Sequence, residues 1–180
     1  PEDIQYELGS TGNTVTWNPS DLDPDFYSVC FDGAPMQNTS WDGGSVTTGV
    51  DGLSVGSHYV SLIVGDVSGN TAIDTVVVEV KDTVSPSVSS PNDIQYEEGS
   101  TGNSINWNVS DLGMLTYVVR RNDSTLLNGV CNDSEISLNI DFLAPGVYNY
   151  TLVVTDEGGN SANDSVLVVV LASAPTTTTT

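Results

Sequence analysis

The chain repeats itself. Asp3-Ile4-Gln5-Tyr6-Glu7, Gly9-Ser10-Thr11-Gly12-Asn13 and Trp17-Asn18 return 90 positions later as Asp93-Ile94-Gln95-Tyr96-Glu97, Gly99-Ser100-Thr101-Gly102-Asn103 and Trp107-Asn108. At that single offset, with no gap, 32 of the 80 positions in 1–80 match their counterparts in 91–170. A gapless match of this length describes two copies of one folding unit, each long enough for a small core. The boundaries read as a first domain over 1–82, a linker over 83–90, a second domain over 91–172, and a Thr-rich stalk or linker over 173–180.

Each copy reads as all-β. Val15 and Trp17 alternate with polar neighbours, as do Tyr27, Val29 and Phe31, which is the period of a half-buried strand. A loop is expected over Pro19–Asp25, and Asp32-Gly33 is a turn pair. Val46 and Val50 mark a further strand. The clearest hairpin closes the copy. His58, Val60, Leu62 and Val64 share one face, Ser68-Gly69-Asn70 turns, and Ala72 leads into Val76, Val78 and Val80. Tyr148 to Val154, Gly158-Gly159-Asn160 and Val166 to Val170 repeat it. About seven short strands per copy, with frequent turn signals and no sustained helical period, predict two tandem β-sandwiches.

Charge narrows the partners. Twenty-four acidic residues face only Lys81, Arg120 and Arg121, a net charge of −21. Nucleic acid needs phosphate-neutralising Lys and Arg, so it is excluded, and anionic membrane surfaces are disfavoured. The acidic surface reads as a solvated, self-repelling exterior suited to salty or cation-rich surroundings. The longest apolar run, Val166 to Ala172, is too short to span a bilayer. Residue 1 is Pro, so the start is read as processed or as an excerpt, with any membrane anchor outside the segment. Asn-x-Ser/Thr acceptors occur at Asn38, Asn108, Asn122, Asn132, Asn149 and Asn163. Thr176, Thr177, Thr178, Thr179 and Thr180 follow Ala174-Pro175 and read as O-glycosylation candidates on an extended stalk.

Asp66-Val67-Ser68-Gly69-Asn70-Thr71-Ala72, with Asp74 and Val76, resembles the last hairpin of bacterial and archaeal immunoglobulin-like repeats, hyalin-type repeats included. Asp156 to Ala162, with Asp164 and Val166, repeats the pattern. The leader Gly-Ser-Thr-Gly-Asn, then Trp, then Ser-Asp is similar to Ig-like repeats of archaeal cell-surface proteins, which often end in a Thr-rich stalk. The resemblance implies two Ig-like sandwiches of about seven strands, an extracellular or cell-surface setting, and a tyrosine corner at Gly146-Val147-Tyr148. Copy one departs there with Gly56-Ser57-His58. Neither copy has the antibody-type core cysteine pair, so Trp17 and Trp107 are expected as the bulkiest core anchors.

No catalytic constellation is visible. His58 is the only histidine and stands where the repeat has its structural Tyr, so it reads as a packing residue. One imidazole cannot build a zinc site, and a Cys-His or Ser-His-Asp arrangement would need a partner to complete it. No cofactor is expected. Alternating carboxylates at Asp21, Asp23 and Asp25 are weak calcium candidates, lacking the Gly and distal Glu of a calcium loop. Asp66 and Asp156 are expected to bond their own turns. Cys30 and Cys131 do not correspond in the repeat; Cys30 aligns with Arg120, and Cys131 with Trp41. Alternation turns Cys30 toward the outer face. Three readings stand: both thiols free, a bridge between the two units, or a bridge from Cys30 of one molecule to Cys131 of the next.

These features favour a structural protein of a surface layer, surface filament or stalk, self-associating through exposed strand edges and carrying glycans. The alternatives are an adhesin or carbohydrate binder, with Trp41 as a sugar platform unless it packs into the sandwich, and a spacer of a larger surface enzyme. Surface glycans and other surface proteins are the remaining partners.

Overall fold

A computed structural model describes residues 1–35, 38–132 and 134–174, and no helix occurs among them. Two compact units divide at Thr83/Val84. Unit 1 contains β1 (Ile4–Glu7), β2 (Thr14–Trp17), β3 (Pro24–Phe31), β4 (Ala34–Pro35), β5 (Thr39–Ser40), β6 (Val46–Gly49), β7 (Gly56–Asp66) and β8 (Thr71–Lys81). Its larger sheet runs β1-β8-β7-β3-β4, with β5 also on β3, and β2 pairs β6 in the second sheet. Unit 2 contains β9 (Ser87–Val88), β10 (Ile94–Glu97), β11 (Ser104–Ser110), β12 (Leu115–Arg121), β13 (Ser124–Cys131), β14 (Ser134–Asn139), β15 (Gly146–Thr155) and β16 (Ser161–Leu171). Its sheets run β10-β16-β15-β12-β13 and β14-β11-β9.

Each unit is a sandwich because the alternating strands put one apolar face inward. In unit 1, Val15, Trp17 and Val46 from the small sheet pack against Val29, Val60, Leu62 and Val76 from the large one. Ile105, Trp107 and Ile136 meet Val119, Leu152, Val166 and Val168 in the same way in unit 2. Trp17 and Trp107 are both buried, as the repeat predicts. Each indole also ties the two sheets together: Trp17 Nε1 donates to Asp74 Oδ2 at 2.9 Å, and Trp107 Nε1 to Asp164 Oδ2 at 2.8 Å. A buried indole N–H needs such an acceptor.

The repeated leader is a clamp. Asp51 accepts from the amides of Gly12 and Asn13, and Asp141 from those of Gly102 and Asn103. Gly12 and Gly102 lie at φ +86° and +87°, a backbone only glycine adopts freely. Tyr6 donates its hydroxyl to the carbonyl of Val50, and Tyr96 to that of Ile140.

Two expectations need correction. β3 starts at Pro24, inside the stretch read as loop. The stretch read as linker contributes β9, which pairs Val88 with Val109 and Ser87 with Ser110. Two residues of backbone pairing leave no periodic signal to read. The candidates Thr176 to Thr180 lie outside the described residues.

Candidate functional site

The hairpin after the core strand is where the units part. Both turns are left-handed at their first residue: Asp32 at φ +49° and Asn122 at φ +48°. Asp32-Gly33 is the predicted turn pair. Beyond it, unit 1 pairs two short strands with β3, β4 at Ala34–Pro35 and β5 at Thr39–Ser40. Pro35 stands there, and a proline cannot donate to a ladder. Unit 2 has Thr125 at that repeat position and forms β13 as one strand of eight residues. β13 ends its sheet and is paired on one side only, by β12, with a bulge opposite Val119/Arg120. Its sequence, Ser-Thr-Leu-Leu-Asn-Gly-Val-Cys, carries no charge and no Pro. Such an edge is a ready template for another chain. Leu126, Leu127 and Val130 are exposed along it, Val130 by 67%.

The flank beside that edge is open in unit 2 and closed in unit 1. Trp41 follows β5, is 5% exposed, joins the core, and donates Nε1 to the carbonyl of Gly44 at 2.8 Å. It therefore packs and does not serve as a sugar platform. Cys131 holds the matching position in unit 2. A thiol fills far less space than an indole, and a groove of about 410 Å³ lies there. Tyr117, Leu127, Val130, Cys131, Glu135 and Ile136 line it. Gly129 lies under the Tyr117 ring: a Cβ built there would stand 2.9 Å from it, so only glycine lets the ring lie across β13.

The other sequence candidates are placed as follows. His58 is half-buried on β7 and does more than pack. Its Nδ1 lies 2.9 Å from Asp32 Oδ2 and its Nε2 2.9 Å from the carbonyl of Ser54. In unit 2 the predicted corner forms, with the Tyr148 hydroxyl donating to the carbonyl of Ala144 at 2.8 Å. Ser54 and Ala144 are repeat counterparts, so His58 reproduces the corner with an imidazole. Both its nitrogens face acceptors, and the ring satisfies both only when it holds both protons. Its pKa is raised above 6.5, first by the bond to Asp32 and then by that to Ser54. Asp32 is lowered by the same bond. Ser54 Oγ lies 3.5 Å from Nε2, but that nitrogen donates to the Ser54 carbonyl and has no lone pair free to take a proton.

Asp66 Oδ1 accepts from the amides of Ser68 and Asn70, and Asp156 Oδ1 from that of Asn160, as expected of turn carboxylates. Asp21 Oδ1 accepts from the amide of Asp23 at 2.9 Å, and among the described residues Asp21, Asp23 and Asp25 do not converge. Asn38, Asn108, Asn122, Asn132, Asn149 and Asn163 are all exposed. Cys30 and Cys131 form no bridge with each other in this structure. Cys30 stays out of the core cluster, as alternation requires, yet it is only 7% exposed, so its outer face is covered. Cys131 is half-buried in the groove wall. Sequence reasoning missed β13, the groove and the indole acceptors Asp74 and Asp164. The alignment of Cys131 with Trp41 was the one signal that pointed to the groove.

No family model matches the chain, and no curated protein matches it. Among solved structures, titin domains Z1Z2 in complex with telethonin align at TM-score 0.55 and 17% identity, over 96% of this chain and 94% of that one. The adhesin InvE of Yersinia pseudotuberculosis aligns at TM-score 0.48 and 16% identity, over 92% of this chain and 56% of that one. The N-terminal four Ig domains of Dscam1 align at 0.44 and 13%, over 94% and 43%. The titin match shows the fold, a tandem of Ig-like β-sandwiches, and at this identity it shows nothing about function.

Proposed function

We propose that the chain is a structural part of an extracellular or cell-surface assembly, that it works by self-association, and that unit 2 makes the contacts. One observation carries this reading: the uncharged edge strand β13 and the groove beside it are uncovered in unit 2, while Pro35 and Trp41 close the same flank of unit 1. Long open edges are normally shortened, charged or capped, so one left bare invites a partner. Six exposed sequon asparagines and the net charge of −21 support an exterior, glycosylated setting. Mass spectrometry of native material tests the glycans directly; unmodified asparagine at all six positions removes them. The covered Cys30 favours non-covalent contacts over a bridge between molecules.

Light scattering across a concentration series, with reductant present, tests the assembly. The mass should climb above the 18.9 kDa of one chain as concentration rises. A mass fixed at that value throughout would leave a spacer, which is the competing reading.

A further inference from the structure

The second sheet is shorter in unit 1 than in unit 2. β2 stops at Trp17, whereas its counterpart β11 runs on to Ser110 and takes β9 as an added strand. There Val88 stands opposite Val109 and packs against the core, and Ser87 stands opposite Ser110. The Ser89 amide donates to the Asn108 carbonyl at 2.9 Å, and the Asn108 amide donates to Ser89 Oγ at 2.8 Å. β9 also approaches β16, so it bridges strands of opposite sheets. At the repeat offset of 90, the places of Ser87 and Val88 fall ahead of Pro1. Unit 1 has a groove of about 450 Å³ where β9 lies in unit 2. Trp17, Asn18 and Pro19 line it from the small-sheet side, and Leu62, Val64 and Ala72 from the large sheet. The counterparts of Val64 and Ala72 are better covered: Val154 is buried and Ala162 half-buried, while Val64 is half-buried and Ala72 exposed.

We propose that this groove of unit 1 is an acceptor for one short β-strand, and that its occupant is an uncharged segment of the same chain leading into Pro1, placed as Ser87-Val88 is placed before Pro91. The segment that enters a unit then completes that unit's second sheet, whether or not the copies associate. Pairing by backbone gives such a strand its affinity, and the apolar floor selects a β-branched side chain at the place of Val88.

Position, backbone and charge select this occupant. Pro1 itself lines the groove, and it opens the same Pro-x-Asp-Ile leader that Pro91 opens in unit 2. A segment joined at Pro1 is held at high effective concentration, an advantage that a strand from a second copy lacks. Pro19 stands where unit 2 has Val109. The backbone groups of Asn108 face β9, so those of Val109 face the opposite neighbour, β14. The N–H that Pro19 lacks is therefore on the side away from the groove, and the proline holds Asn18 before it extended and ready to pair. Val84 to Ser90 contains no ionisable side chain, which suits a groove bordered by Asp74.

The test joins a copy of Val84 to Ser90 ahead of Pro1 of the whole chain. A control extension carries aspartate in place of the valine copied from Val88. Both extensions remove the contact between the Pro1 amine and Asp74, 3.7 Å apart, so its loss is common to the two. Amide exchange at Asn18 and Ser20 should slow by about fivefold or more with the first extension, because each amide gains a strand partner, and stay fast with the control. The urea midpoint of unit 1 should rise with the first extension alone, and that of unit 2 should hold in all three chains. Equal behaviour of the two extensions, or no slowing with either, overturns the proposal. Protection at Asn18 and Ser20 that arises in the unextended chain with rising concentration, and that the extension does not increase, gives the groove to a second copy and overturns it too.

Discussion

Units 1 and 2 share their centre and differ at their rims. Trp17 and Trp107, with Asp74 and Asp164, occupy equivalent places and make the same bond. The clamps at Asp51 and Asp141 match atom for atom. At the flank and the loops the pairs diverge: Trp41 against Cys131, Pro35 against Thr125, Gly52 against Phe142, His58 against Tyr148. Packing and paired polar groups hold the centre, where any change is felt by many neighbours. Toward the rim the copies differ, by core filling at Trp41 against Cys131 and by exposed loop residues elsewhere, and the differences decide which unit presents a surface.

The largest expected effect probes the shared centre. Trp17→Ala and Trp107→Ala should each cost their own unit about 3–5 kcal/mol, cavity included. Urea melts following each unit should show similar losses; a loss confined to one unit would break the equivalence.

A smaller effect probes a compensated difference. Phe26 pairs with Gly65 in unit 1, and Thr116 with Thr155 at the same repeat positions. A Cβ at Gly65 would stand 2.2 Å from the Phe26 ring, so the aromatic requires the glycine. Gly65→Thr should destabilise unit 1 by about 1–3 kcal/mol, and adding Phe26→Thr, which copies unit 2, should recover most of it. A double-mutant cycle with no coupling would contradict the pairing.

The smallest effect is a pH dependence confined to unit 1. The pKa of His58 is raised in the folded state, so its stabilisation is complete below 6.5 and is lost as pH rises through the folded value. Thermal melts of unit 1 should therefore decline over that range, and His58→Tyr, the unit 2 corner, should flatten the dependence. In acid both units should weaken together. The amide bonds hold Asp141 down at about 2, and Asp51 is lowered by the same kind of clamp. That stabilisation is present above the ordinary carboxylate value and fades as pH falls through the folded ones.

These contrasts also explain what could be read beforehand. The repeat, the period-2 strands and the turn at Asp32-Gly33 are local patterns, and they were legible; the corner at Tyr148 was implied by the family resemblance. β13 was not, because its side chains are exposed on both faces and its bulge breaks any alternation. The partners of His58 were hidden for a different reason: Asp32 lies 26 positions away and is brought near only by β3 pairing with β7. A contact surface is defined by what the fold leaves uncovered, and no window of sequence records that.

The measurement that tests the central claim most directly is amide hydrogen exchange, compared between dilute and concentrated solutions. Exchange should slow along β13 and from Ser134 to Ser137 as the copies associate, with Thr39 to Trp41 of unit 1 unchanged. Protection that appears in unit 1, or nowhere, would contradict the assignment of unit 2 as the contact-making half.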